Sequence, residues 1–77
     1  MALIRKINRL DRKGRPHDEV ECTYCVLVDG RARYLTIQTY GRSSRENPEM
    51  PSQTLQFDEA GAKRLKELIE ETFPSLK

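Results

Sequence analysis

The sequence predicts an α+β domain, a four-stranded antiparallel sheet followed by one C-terminal amphipathic helix, in the order ββββα. Three observations carry this. Residues 33–40, Arg-Tyr-Leu-Thr-Ile-Gln-Thr-Tyr, alternate in polarity and are rich in β-branched and aromatic residues. Residues 20–28 alternate as well, and Asp29-Gly30, a favoured hairpin dipeptide, joins the two stretches. After Asp58 the period changes to that of a helix, with Ala62, Leu65, Leu68, Ile69, Thr72 and Phe73 on one stripe.

Taken in order, residues 3–10 fit either a helix face or a short edge strand, and the edge strand is the reading adopted. Its charges suit an exposed edge. Residues 11–19, Asp-Arg-Lys-Gly-Arg-Pro-His-Asp-Glu, form a polar loop broken by Gly14 and Pro16, with the densest positive charge in the chain. In the hairpin, a type I′ turn centred on Asp29-Gly30 would pair Val28 with Arg31, Val26 with Arg33, Tyr24 with Leu35, Cys22 with Ile37 and Val20 with Thr39. The apolar residues then share one face. The other face would set Cys25 beside Tyr34, Thr23 beside Thr36, Glu21 beside Gln38 and Glu19 beside Tyr40. Residues 41–52 form a long loop, a kind usually mobile or functional. Residues 53–57 make a short fourth strand with Leu55 and Phe57 inward. Asp58 caps the helix, Phe57 staples against Ala62, and Pro74 ends the helix after about Phe73.

One domain covers residues 1–77: an N-terminal edge strand and basic loop over 1–19, the hairpin over 20–40, the loop over 41–52, and the short strand and helix over 53–73. At 77 residues with 36% hydrophobic content, the core is thin, which favours a homodimer. No run of 18 apolar residues occurs, so no membrane span is expected. The start, Met-Ala-Leu-Ile-Arg-Lys, lacks a secretory signal pattern, so the expected location is the cytoplasm. The net charge of +2 conceals an asymmetry: residues 1–45 carry +5 and residues 46–77 carry −3. A basic front of this kind suits a polyanion.

Catalytic and metal chemistry find little support. Cys22-Thr-Tyr-Cys25 has redox spacing, but on a strand the two thiols face opposite sides and cannot readily pair. Two cysteines and one histidine do not fill a four-ligand zinc site. Ser43, Ser44 and Ser52 have no base close in sequence, and no Gly-rich phosphate loop occurs. No enzyme, metal or cofactor is expected. The polar strand face offers something else. Tyr34 and Tyr40 would stack on bases, Thr36 and Gln38 would hydrogen-bond, and Arg5, Arg9, Arg42 and Arg45 would contact phosphates. That combination fits a single-stranded nucleic acid bound without strong sequence preference. Basic loops docking an acidic protein partner are the alternative.

Tyr34-Leu-Thr-Ile-Gln-Thr-Tyr40, the loop Gly41–Ser52 and Thr54-Leu-Gln-Phe-Asp-Glu-Ala-Gly-Ala-Lys-Arg-Leu65 together resemble the transcriptional coactivator family of positive-cofactor-four type, over residues 20–73. The resemblance implies a homodimer with helices helping to form the interface and sheets holding single-stranded DNA. It places the family's strand aromatic at Tyr40 and its strand basic residue at Gln38. The loop departs from the family's Lys and Gly pattern, reading Arg42, Arg45, Glu46, Glu49 and Met50.

Overall fold

A computed structural model of the chain describes residues 1–40 and 51–77. Strands β1 (Ala2–Ile4), β2 (Cys22–Asp29), β3 (Ala32–Tyr40) and β4 (Pro51–Phe57) precede helix α1 (Glu59–Thr72) and a 3₁₀ turn at Pro74–Leu76. The α+β, ββββα arrangement read from the sequence is the one observed. The sheet is mixed, however, not antiparallel throughout. Its order is β1-β4-β3-β2, and β1 runs parallel to β4, with Ala2 opposite Leu55 and Ile4 opposite Phe57. A parallel neighbour needs a long connection, and all of residues 5–50 separate β1 from β4.

The N-terminal strand is also shorter than the expected 3–10: only Ala2–Ile4 pairs, and Arg5 leaves the ladder to meet Asp58. The hairpin is present, but its register is offset by two residues. Cys22 pairs with Thr39, Tyr24 with Ile37, Val26 with Leu35 and Asp29 with Ala32. The turn residues are Gly30 and Arg31, not Asp29 and Gly30. Gly30 has φ 62° and Arg31 has no positive φ. That is the sign pattern of a type II′ turn, with glycine in the first central position, whereas type I′ needs positive φ at both. A shift of two keeps every side chain on its expected face.

Asp58 caps α1: its Oδ1 accepts a 2.9 Å hydrogen bond from the Gly61 amide. Gly61 is buried against β1, and a Cβ there would run into the Ile4 carbonyl oxygen. This close approach is what requires glycine in the first turn of the helix. Phe57, 5% exposed, is the one buried hydrophobic side chain among the described residues. It lines a concavity with Val26, Leu35 and Ala62, so the first turn of α1 lies over the face that carries Leu35 and Leu55.

Cover on that face is partial. Ala62, Leu65 and Leu68 are half-buried, but Ile69 and Phe73 of the same stripe are exposed. All of β2 is exposed, with Tyr24 at 75%, Val26 at 57% and Val28 at 66%. These positions were expected in the core. The 14-residue helix covers β3 and β4 and leaves β2 without a lid.

Candidate nucleic-acid interface

The polar face of the sheet is built on β3. Tyr34, Thr36, Gln38 and Tyr40 alternate with the inward Leu35, Ile37 and Thr39, so backbone geometry alone sets the four on one side. Their neighbours in register are Leu27 for Tyr34, Cys25 and Gln56 for Thr36, and Thr23 and Thr54 for Gln38. The expected partners Cys25 for Tyr34, Thr23 for Thr36 and Glu21 for Gln38 are thus each displaced, for the turn reason given above. Glu21 instead meets the last residue of β3: the Tyr40 amide donates to its carbonyl at 3.1 Å.

Tyr34, Gln38 and Tyr40 are half-buried, and Thr36 is only 4% exposed. Thr36 sits mid-strand with a neighbour on each side. Its Oγ1 has no hydrogen-bond partner among the described residues. It therefore lies beneath the surface that Tyr34, Gln38 and Tyr40 present. The Tyr40 hydroxyl and Thr23 Oγ1 are 3.1 Å apart and share a hydrogen bond, which leans the Tyr40 ring across the face toward β2. Thr39 Oγ1 and Ser52 Oγ, 3.1 Å apart, tie β3 to β4 beside it.

The cations divide. The Arg5 Nε–H donates to Asp58 Oδ2 at 2.8 Å, so Arg5 is tied to the helix cap. The amide of Gly61 and the Arg5 guanidinium together hold the Asp58 carboxyl below the usual carboxylate range. The Arg9 Nε–H donates to Asp11 Oδ1 at 2.8 Å, with both side chains solvated. Such a surface pair is weak and readily exchanged for a phosphate. Arg42 and Arg45 lie outside the described residues. Arg12, Lys13, Gly14, Arg15, Pro16 and His17 together line a second concavity. The density of positive charge in that loop is the feature the sequence already showed.

Cys22 and Cys25 fall on opposite faces of β2, as alternation requires, and both are free thiols. Among the described residues no helix is long and apolar enough to cross a membrane.

No family model matches the sequence, and neither a curated protein nor a solved structure matches it.

Proposed function

We propose that this protein binds single-stranded nucleic acid, DNA before RNA, without strong sequence preference, and that it does so as a cytoplasmic homodimer with no catalytic step. The observation that supports this most is the polar face of β3, where Tyr34 and Tyr40 flank Gln38 on the side of the strand opposite Leu35 and Ile37. Aromatic side chains accept any base, and a surrounding cationic rim follows the backbone. Arg9, Arg42, Arg45 and the 12–17 loop supply that rim. Arg5 joins it only by giving up Asp58. The likeness to the coactivator family, with its strand aromatic at Tyr40, supports the same reading.

The test is a titration of one mixed-sequence single strand at several salt concentrations. Tyr34→Ala and Tyr40→Ala should each weaken binding by about 1–3 kcal/mol. Arg42→Ala and Arg45→Ala should each flatten the log–log salt slope by about 0.7. Duplex DNA, with its bases already stacked, should bind more weakly. Absence of salt-sensitive binding by the unaltered protein would end this reading. The concavity lined by Arg12, Lys13, Arg15 and His17 favours the second reading, basic loops docking an acidic protein partner.

A further inference from the structure

β2 ends the sheet, and among the described residues no strand pairs with its outer side. The Tyr40 amide bonds the Glu21 carbonyl, so odd-numbered residues of this strand direct their backbone groups toward β3. The backbone N–H and C=O groups of Cys22, Tyr24, Val26 and Val28 therefore point outward. An unpaired edge of this length is a template for another strand. Natural edges are usually blunted by lysine, proline or a bulge, and residues 22–28 contain no charge and no proline. Thr23 apart, their side chains are largely apolar, and they are exposed on both faces, Leu27 included.

The exposed area points the same way. The isolated chain exposes 7372 Å². A compact monomer of 9.0 kDa would expose roughly 4,900 Å². The difference is larger than the roughly 800 Å² per partner of an ordinary interface.

We propose that a second copy of this chain pairs along the outer edge of β2, antiparallel and in register about Val26, to make one eight-stranded sheet. A two-fold axis at Val26 sets Tyr24 opposite the partner's Val28, and Cys25 opposite the partner's Leu27. Aromatic–β-branched and apolar pairs of this kind stabilise a ladder. At the ends the same register brings Glu21 to the partner's Arg31, an opposite-charge pair. Moving the axis to Cys25 would instead set Glu21 against the partner's Asp29, two like charges. The contact is isologous and uses the β2 edge of each copy, so it closes as a dimer and does not propagate as a fibre.

The inference rests on the dimeric part of the proposed function and not on nucleic-acid binding. It adds to it, because the two-fold axis is perpendicular to the sheet and puts both tyrosine faces on the same side. The two copies of β3 then lie three strand spacings apart, roughly 14 Å, near enough for one single strand to cross both.

Cysteine cross-linking tests the register. In a Cys22→Ser, Cys25→Ser background, Val26→Cys places two thiols opposite each other, with Cα atoms about 5.5 Å apart, inside the range for a disulfide. Tyr24→Cys places them roughly 14 Å apart. Under mild oxidation the first variant should become a covalent dimer and the second should not, with both folded by circular dichroism. Sedimentation of the unaltered protein at tens of micromolar should give twice 9.0 kDa. A dimer by sedimentation that fails to cross-link through position 26, or links through 24, overturns this interface and leaves the dimeric reading intact. A monomer overturns both.

Discussion

The two edges of this sheet are finished in different ways. At one, β1 contributes three residues, and the chain then turns away through Arg5, which is held by Asp58, while Gly61 lets the helix press on the Ile4 carbonyl. That edge is short, capped and followed by charge. At the other, β2 offers eight residues, nearly all apolar or neutral, with every side chain exposed. A small domain has too little chain to cover everything. This one lays its helix over β3 and β4 and leaves β2 exposed.

Breaking the finished edge should have the largest effect. Phe57→Ala removes the buried ring beneath the start of α1 and should cost about 3–5 kcal/mol, enough to unfold much of the protein in a urea titration. Gly61→Ala comes next, and two effects compete in it. Alanine gains about 1 kcal/mol of helix propensity, but its Cβ cannot share space with the Ile4 oxygen. Overpacking of this kind costs about 1–3 kcal/mol, and backbone yields less than a side chain does. The net change should be destabilising, with β1 amides losing exchange protection first.

Much of this was legible in the sequence, and the failures have physical causes. Alternation at Tyr34–Tyr40 assigned each side chain its face because sheet periodicity is local. Asp29-Gly30 marked the turn, but only Gly30 takes positive φ, so the turn is centred one residue later than expected and the register moves by two. The direction of β1 was not legible, since an apolar triplet looks the same from either end. Nor was the bond from Arg5 to Asp58, which joins residues 53 apart. The signal for Gly61 was present but unused: a glycine just inside a helix has a cost that a close packing contact explains. Thr36 was assigned its face correctly, yet alternation does not report crowding from Cys25 and Gln56.

Smaller effects sharpen the contrast. Val26→Lys, at an exposed site, should change monomer stability by only about 0.5 kcal/mol while setting two ammonium groups face to face at the proposed axis. The dimer should be lost with the fold retained, as read by sedimentation and circular dichroism. At the finished edge, Asp58 has a lowered folded pKa, through the Gly61 amide first and Arg5 second. The folded protein therefore holds fewer protons at this site than the unfolded chain. Its contribution is fully present above the unfolded carboxylate pKa and is lost as pH falls through the lower, folded value. Asp58→Asn keeps a capping side chain and removes the titration. The acid limb of a stability-versus-pH curve should flatten in that variant, measured by thermal melts, and an unchanged limb would show that the Asp58 charge does not help to hold the β1 edge.

The most direct comparison of the edges is amide hydrogen exchange on the unaltered protein at rising concentration. The amides of Thr23, Cys25 and Leu27 face β3 and should be protected throughout. Those of Tyr24, Val26 and Val28 face outward, and should pass from rapid exchange in dilute solution to protection as the dimer forms, while the three residues of β1 show no such dependence. If Tyr24, Val26 and Val28 exchange freely at every concentration, β2 is a bare edge, and the claim that a second copy finishes the sheet is wrong.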